Sequence, residues 1–418
     1  MADAATKRVR LFAWCCIAAC AAFCASDYAA ASARALSQPN LTGCRADVAR
    51  YDVAVPGNPA SIALSANGRV AYVALSSANP ASPNGVGVLK CSQGRYRLVR
   101  VVPLESDPFG IALTHDNQLL LVADDGFVAF LSAPAMLQGR TALVGYLKDD
   151  PGDIEDNDPG SVYVNVTPDD RYAFVSDESD ASITVINLQK ARRDGFSRSA
   201  IVGKIPVGNA PVALTFSRDG KYLLTTSEVA PSAYDWPNTC HQEGVASSGA
   251  QPLPPGAIIT IEVAKAETDP KNAVVGRARA GCSPVRLSLS PDGATAWVTN
   301  RESGTLIAFS TAQLISGSAD PRLATIAVGS NPVPVAATRD GRYVLVGATN
   351  RFGSGGVAPG KLIVVDAARK KPLGAISVGR FPRELAVGVG ADILLSNNRS
   401  DTITIFDAAR LREVLSSQ

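Results

Sequence analysis

Charged and amide side chains recur at one point of a repeated pattern, just after the second of several consecutive apolar runs. In the earlier repeats these side chains are acidic, namely Asp124, Asp177, Glu178 and Glu228. In the later repeats they are Asn-Arg pairs, namely Asn300 with Arg301, Asn350 with Arg351 and Asn398 with Arg399. Arg286 and Arg383 add positive charge, and each lies near the start of the first apolar run of its repeat. Groups of carboxylates and guanidiniums bind polar ligands, so the pattern predicts a site for a polar or anionic ligand.

The alternative interpretation is that each Asn-Arg step is ordinary turn chemistry on a solvated rim. Three repetitions in consecutive repeats, with the acids confined to the other three, favour the ligand site. The expected arrangement is an acidic arc opposite an Asn-Arg arc, with the two arcs at equivalent positions of the repeats.

Motifs for a dedicated catalytic set are absent from the sequence. His115 lies in a Thr-His-Asp-Asn turn, and His241 follows Cys240 without the Cys-x-x-Cys-His spacing of haem attachment. No second His or Cys pair lies near His241 in sequence, so zinc is not predicted. The Gly-x-Ser-x-Gly turn of Ser-His-Asp hydrolases is also missing. The catalytic residues stay unassigned, and no metal ligand or cofactor is predicted.

One acidic segment leaves open the possibility that a cation binds. Six carboxylates fall within residues 149–158, and hard oxygen ligands suit Ca²⁺. The spacing does not match an EF-hand loop, so a solvated acidic loop is favoured over a Ca²⁺ site.

The elements that position these residues repeat with a period of about fifty residues, which indicates a repeat architecture. The first apolar run of each repeat ends at a turn residue, namely Gly68, Asn117, Asp170, Gly220, Gly293, Gly341 and the degenerate Gly390. The apolar periodicity is two, and Asp-Gly between two runs predicts a type I′ hairpin. Four short strands per repeat predict an all-β protein, a seven-bladed β-propeller with four-stranded blades.

Two departures from the period refine this fold. Residues 231–256 are proline-rich and lack strand periodicity, so they form an insertion in blade four. A strand beginning near Arg50 is left over before the first repeat, and the last repeat lacks a fourth strand. The N-terminal strand is therefore expected to complete the last blade and remove exposed edges. The propeller is predicted over residues 46–410 and a C-terminal tail over 411–418, with a helical pattern from Asp407 to Leu415.

The repeats also carry a family resemblance. Trp297-Val-Thr-Asn300, and the blade ends that begin at Ile205 and Ile326, resemble YVTN-type β-propeller repeats, a group that overlaps the lactonase-like seven-bladed propellers. The resemblance implies binding, surface or enzymatic roles. A lactonase-like hydrolase would use Asp177, Glu178 or Glu228 as a base facing Arg301, Arg351 or a divalent cation. We predict a binding or scaffold protein with its ligand over the channel mouth, and keep this hydrolase as the alternative. A third possibility is an accessory to a redox enzyme.

The N-terminus has the pattern of an export signal. Lys7, Arg8 and Arg10 precede an apolar run to Ala25 and small residues at 29–31, which predicts a signal peptide over residues 1–31 and a linker over 32–45. Ile17-Ala-Ala-Cys20 has the form of a lipobox, so a lipid anchor on Cys20 is the alternative to a free periplasmic or secreted protein. The run is shorter than the ~20 residues of a membrane span.

Four cysteines lie beyond the signal, and an even number in an oxidising compartment predicts two bridges. Cys240 and Cys282 are expected on one face of the ring, and Cys44 and Cys91 on the other. A Cys240–Cys282 bridge would hold Tyr234, Trp236 and His241 over the mouth as a lid.

The charge balance bears on partners. Lys and Arg total 40 against 38 Asp and Glu, which gives no field to attract nucleic acid. The expected partner is a small polar or anionic ligand or another exported protein, and the chain is expected to be a monomer.

Overall fold

The period-two alternation folds into β-strands throughout the part of the chain that this computed structural model describes. The described residues are 43–45, 47–77, 84–124, 126–148, 161–241, 251–351, 357–390 and 392–417. The predicted signal peptide, the lipobox and the acidic segment 149–158 lie outside these residues. Residues 42–418 form one compact unit.

Seven antiparallel four-stranded sheets make the blades, and in six of them the inner strand comes first in sequence. Blade one contains β2 (Asn58–Leu64), β3 (Val70–Ser76), β4 (Gly85–Ser92) and β5 (Arg95–Pro103). Blade two contains β6 (Ile111–Leu113), β7 (Leu119–Asp124), β8 (Phe127–Ser132) and β9 (Leu143–Lys148). Blade three contains β10 (Ser161–Val166), β11 (Tyr172–Asp177), β12 (Ser182–Asn187) and β13 (Ile201–Pro206).

Blade four contains the insertion. Its strands are β14 (Asn209–Phe216), β15 (Tyr222–Val229), β18 (Gly256–Glu262) and β19 (Val274–Gly281). Between β15 and β18 lie a 3-10 turn at Ser232–Tyr234 and a small hairpin of β16 (Cys240–His241) and β17 (Pro252–Leu253). The described residues of the predicted insertion lie between β15 and β18, and β18 begins at its last predicted residue, Gly256.

The remaining strands complete the ring. Blade five contains β20 (Pro284–Leu289), β21 (Thr295–Asn300), β22 (Thr305–Ser310) and β23 (Arg322–Ala327). Blade six contains β24 (Pro332–Ala337), β25 (Tyr343–Ala348), β26 (Gly360–Asp366) and β27 (Lys371–Val378). Blade seven contains β28 (Pro382–Val387), β29 (Asp392–Asn397) and β30 (Thr402–Asp407), and its outer strand is β1 (Arg50–Ala54), paired antiparallel with β30. The seven-bladed propeller and its closure by the N-terminal strand are confirmed.

The hydrophobic core is a ring of apolar layers between neighbouring blades. Val73 and Leu89 of blade one, for example, pack with Leu394 and Ile405 of blade seven, and all four are fully or almost fully buried. Each strand face therefore meets a second blade, which explains why the runs are apolar on both sides in the middle strands.

The turns between first and second strands differ from the prediction in detail. Gly293 has a positive φ, but Asp292 does not, so the turn is not type I′. The amide of Ser290 donates to the carbonyl of Thr295, and the amide of Gly293 donates to the carbonyl of Ser290. The loop is therefore longer than the two-residue type I′ turn that was predicted, and it contains a single left-handed residue.

Two of these left-handed positions hold a side chain instead of glycine. The Asn117 carboxamide oxygen accepts a hydrogen bond from the amide of Ala66, at 2.9 Å. The Asp170 carboxylate accepts hydrogen bonds from the amides of His115 and Asp116, at 2.8 and 2.9 Å. Each side chain thus ties its turn to the preceding blade, which offsets the cost of a left-handed residue with a Cβ.

Short helices between third and fourth strands were not predicted. They are α1 (Ala133–Gln138), α2 (Leu188–Arg193), α3 (Val263–Ala266) and α4 (Thr311–Ile315), and α5 (Leu411–Ser416) forms the predicted tail. The side chains of Ser132, Asn187 and Ser310 cap three of them. Helices this short leave too few residues for a periodic signal, so only the cap marks them. No helix within the described residues is long and apolar enough to cross a membrane.

Two disulfide bonds join the described cysteines as expected. Cys44 is bonded to Cys91 and Cys240 to Cys282, over sequence separations of 47 and 42 residues. Cys44 also donates its amide to Asp392 of blade seven, at 3.0 Å, so the first bridge lies where blades seven and one meet. Such bonds are typical of an oxidising compartment.

Candidate functional site

The pairing register decides which residues at the second-strand ends are equivalent. Asp177 pairs with Ser161, Asn300 with Pro284, and Asn397 with Pro382. Asn300 is thus equivalent to Asp177 and Asn397, and Arg301 is equivalent to Glu178 and Asn398. The backbone agrees, because the amides of Arg301 and Asn398 donate to the carbonyls of Ser283 and Phe381 at matching sites.

The predicted equivalence of the three Asn-Arg pairs is therefore wrong. Asn398-Arg399 lies one residue later in the register than Asn300-Arg301, and Asn350-Arg351 lies two residues later, since β25 ends at Ala348. Irregular loops follow the strands here, and sequence letters alone do not fix their register.

The side chains at the strand ends themselves point into the blades. Asp124 is fully buried. Burial raises the pKa of Tyr146 on outer strand β9, and the negative charge of Asp124 raises that pKa further. Asp177 is fully buried, lies 3.5 Å from Nζ of Lys204 on outer strand β13, and accepts a hydrogen bond from Ser179. Asp177 thus contacts both the outer strand and the turn of blade three.

Asn300 is likewise an internal packing residue. A Cβ on Gly281 would lie 2.9 Å from its carboxamide oxygen, and Gly281 has a φ of 106°. The amide therefore fills the space that this glycine leaves beside β21.

The residues that come one position later than Asp177 and Asn300 point the other way, because successive strand residues face opposite sides. They form a cluster at the mouth of the channel. Glu178 and Arg301 follow the ends of the second strands of blades three and five, and Glu228 has the equivalent register position near the end of β15 in blade four. A guanidinium nitrogen of Arg301 donates to the Glu228 carboxylate at 2.7 Å, with both side chains largely buried. An acid and an arginine are thus in contact where the predicted acidic arc of blades two to four meets the predicted Asn-Arg arc of blades five to seven.

The inner strands complete this cluster through a repeated irregularity. Six inner strands have a register shift just after their first residues, for example between Pro284 and Arg286 and between Pro382 and Glu384. A β-bulge re-aims the side chains beside it. By this register, Tyr163, Arg286 and Glu384 occupy the same position in blades three, five and seven, and Arg383 precedes Glu384.

Arg286 is the centre of the cluster. It is only 7% exposed. Its guanidinium carbon lies 4.2 Å from the centroid of the Tyr163 ring, and Nε lies 3.6 Å from a carboxylate oxygen of Glu384. Its Nε and Nη1 atoms are buried and have no hydrogen-bond partner among the described residues. Buried guanidinium donors without acceptors are costly, so they point to a missing acceptor.

Burial shapes the pKa values of the cluster. It raises the pKa of Glu178 to about 7, aided by the charge of Glu228 and opposed by Arg286, Arg383 and Arg301. It raises the pKa of Glu384 to about 8. It lowers the pKa values of Arg286 and Arg383 to about 10, so both arginines stay charged at neutral pH.

The other predicted arginines lie at the periphery. Arg351 is exposed but close enough to Arg383 to help lower its pKa. Arg399 is exposed, and its guanidinium carbon lies 4.7 Å from the centroid of the Phe381 ring. Asn350 is a left-handed turn residue with a φ of 51°, and Asn398 donates to the carbonyl of Pro59 at 3.2 Å. These four residues have local roles around the cluster.

A cavity of about 310 Å³ lies beneath, in the central channel. Its lining includes Tyr163, Arg286 and Glu384 together with inner-strand residues of blades four and six. Val212, Val285 and Val333 form an apolar layer with Tyr163. The cluster is therefore a charged site on an apolar support, which is a usual construction for small-ligand sites.

The insertion does not place its aromatic residues over this site. Tyr234 and Trp236 carry cation–π contacts with Arg277 and Arg279 of outer strand β19, at 4.3 and 5.5 Å. The lid interpretation is wrong for these two residues, because the loop folds outward along blade four. The tether by Cys240 and Cys282 is confirmed.

Sequence reasoning missed Tyr163 and Glu384. Neither residue follows a second strand. The only sequence feature that could have identified them is that each lies two residues after the first residue of an inner strand. Bulges at that point hide the equivalence from a simple count of residues.

Comparisons with known proteins agree with the architecture. A sequence model described as lactonase, 7-bladed beta-propeller, matches residues 24–352, which is more than half of the chain. Hydrazine synthase of Kuenenia stuttgartiensis has a similar fold, with a TM-score of 0.60, 14% identity, and coverage of 87% of this chain and 97% of that one. No curated protein sequence matches the chain. The chain belongs to the lactonase family of seven-bladed β-propellers.

Proposed function

We propose that this protein is exported and binds a small anionic ligand over the mouth of its central channel, through Arg286, Arg301 and Arg383. The observation that carries the proposal is the buried guanidinium of Arg286, with two nitrogen atoms that have no hydrogen-bond partner among the described residues. A carboxylate or phosphate oxygen would satisfy these donors with charge-assisted hydrogen bonds. The two disulfides support export, and the periplasm or the extracellular medium is the proposed location.

The balance of charge at neutral pH supports an anion. Arg286, Arg301 and Arg383 are positive, and Arg301 is neutralised by Glu228. Glu384, with a pKa raised to about 8 by burial, is mostly protonated and offers an O–H donor next to Arg286. Glu178 carries a partial negative charge because its pKa is about 7. The cluster is therefore net positive, and its low-dielectric surroundings strengthen attraction to an anion.

The binding experiment is a calorimetric titration with inorganic phosphate and with a panel of sugar acids and dicarboxylates. We expect one bound anion per chain, with affinity reduced about tenfold or more in Arg383→Met. Arg399→Ala is the matched control, since Arg399 is an exposed arginine on Phe381 outside the cluster. If Arg399→Ala weakened binding as much as Arg383→Met, the anion would be held at the surface and the proposal would fail.

A second candidate, hydrolysis of an anionic lactone, is favoured by one observation and by the family. Glu178 has a pKa of about 7, which suits a general base at neutral pH. Its carboxylate would take a proton from water as the water oxygen attacks the lactone carbonyl carbon. The arginines would stabilise the resulting oxyanion, and the ring C–O bond would break as the leaving oxygen gains a proton.

A lactone screen distinguishes binding from turnover. Acid release in a pH-stat, from γ- and δ-lactones that carry a carboxylate or phosphate, would be lost in Glu178→Gln and retained in Glu413→Gln, a control on the exposed tail. Binding of the anions without any acid release would leave the binding function and eliminate the hydrolase.

A further inference from the structure

Away from the channel mouth, the Cys240–Cys282 bridge lies in a group of metal-ligating side chains. The sulfur atoms of Cys240 and Cys282 and a carboxylate oxygen of Glu302 all lie within 4.8 Å of one another. Among the described residues this is the one such group that contains cysteine. Cys240 is buried, and the other two residues are partly buried.

His241 lies beside this group, although neither ring nitrogen is within 4.8 Å of all three donor atoms. Its amide donates to Oε1 of Glu302 at 2.9 Å, and its Nδ1 atom lies 3.8 Å from the same oxygen. The imidazole side chain is 56% exposed. Two thiolates and a carboxylate, with a neighbouring imidazole as the fourth donor, are the ligand types of a tetrahedral zinc site.

A second observation points to a ligand here. Oε2 of Glu302 is buried and has no hydrogen-bond partner among the described residues. Burial of a carboxylate oxygen without a donor is unfavourable. A cation bound by this carboxylate and the two sulfur atoms would remove that cost.

We propose that the reduced form of the protein binds one Zn²⁺ through Cys240, Cys282, Glu302 and His241. A dithiol reductant transfers two electrons and two protons to the Cys240–Cys282 disulfide and leaves as its own disulfide. Zinc then binds the two sulfur atoms as their protons pass to solvent. The insertion of blade four is thereby fastened to blade five in both redox states, by a covalent bond when oxidised and by the metal when reduced.

The two bridges of this protein allow an internal comparison. The Cys44–Cys91 bond lacks a comparable group, because no cluster of three such ligands among the described residues includes either cysteine. Reduction of that bond therefore creates no metal site, whereas reduction of Cys240–Cys282 does.

The test uses the full chain, reduced anaerobically with a trialkylphosphine and titrated with Co²⁺ and then Zn²⁺. The other reduced cysteines of the chain are also thiols with an affinity for metals, so the readout is the difference between wild type and Cys240→Ser/Cys282→Ser. We expect a difference of one Co²⁺ per chain with the visible bands of tetrahedral cobalt and a thiolate charge-transfer band, both displaced by Zn²⁺. Cys44→Ser/Cys91→Ser should keep that signal, and oxidised protein should lack it.

Variants of the other two ligands sharpen the result. Glu302→Gln and His241→Ala should each reduce the Zn²⁺ affinity about tenfold or more, as loss of a supporting or direct ligand does. Equal cobalt spectra for wild type and the double serine variant would overturn the proposal, and so would an unchanged affinity in Glu302→Gln. Loss of the β-sheet circular dichroism on reduction, without recovery on addition of Zn²⁺, would also overturn it.

Discussion

Arg286 illustrates how a buried charge serves a ligand at the expense of stability. A buried guanidinium with unsatisfied donors is destabilising, and an apolar side chain of similar length is often neutral or better. We expect Arg286→Met to keep or raise the free energy of unfolding in urea, while the affinity for a bound anion falls about tenfold or more. A loss of stability above about 2 kcal/mol would instead assign Arg286 a structural role.

The raised pKa values of Glu178 and Glu384 predict how stability changes with pH. The unfolded chain releases these protons near the ordinary value of 4.5, whereas the folded protein holds them to about 7 and 8. The folded state thus binds more protons over this window, so stability present below pH 4.5 is lost as the pH rises to about 8.

Glutamine at these positions mimics the protonated acid. Urea unfolding between pH 5 and pH 8 should therefore show a smaller loss of stability in Glu384→Gln than in wild type, and a smaller loss still in Glu178→Gln/Glu384→Gln. A pH profile of the double variant that coincides with that of wild type would show that both groups ionise normally.

The residues of the site were predictable only in part. Charge and repeat position were enough to single out Glu178, Glu228, Arg286 and Arg301. The same argument could not tell the residues of the site from Asp177 and Asn300, which face the blade interior. A shift of one residue in register reverses the direction of a side chain. Tyr163 and Glu384 could not be found at all, since the bulges that align them with Arg286 have no sequence signature.

Among the elements, the strands were the easiest to predict and the loops the hardest. Alternating apolar residues and Gly-containing turns fix a strand pair over a few residues, whereas the short helices between third and fourth strands gave no periodic signal. The insertion shows the same limit: its prolines exclude a strand, but its outward course depends on contacts of Tyr234 and Trp236 with β19.

The two disulfides fasten elements of different kinds and should differ in energetic value. Loops of 47 and 42 residues each predict a contribution of about 4 kcal/mol from chain entropy. Cys44–Cys91 acts at the junction of the first and last blades, while Cys240–Cys282 fastens an inserted loop that the blade ladders do not need.

We therefore expect Cys44→Ala/Cys91→Ala to lower the free energy of unfolding by about 2–4 kcal/mol, and Cys240→Ala/Cys282→Ala to lower it by less. The second variant should instead speed proteolytic cleavage within residues 230–255. Thermal and urea unfolding of both variants, with timed proteolysis, makes the comparison. Equal destabilisation without faster cleavage would contradict these assignments.

Taken as a ring, the propeller explains why the site lies where it does. Seven inner strands converge on one axis. Individual residues of several blades therefore lie close together although they are far apart in sequence. Glu178, Arg286 and Arg383 come from blades three, five and seven, and each influences the pKa of another. The repeat supplies the framework, and the departures from the repeat supply the chemistry.

The central claim is that the channel mouth binds an anion at Arg286, and anomalous diffraction from a crystal soaked in sodium bromide tests it without knowledge of the natural ligand. We predict a bromide peak within hydrogen-bonding distance of Nε or Nη1 of Arg286, stronger than any peak at the exposed Arg399. Bromide peaks confined to exposed arginines, with none at the channel mouth, would contradict the account.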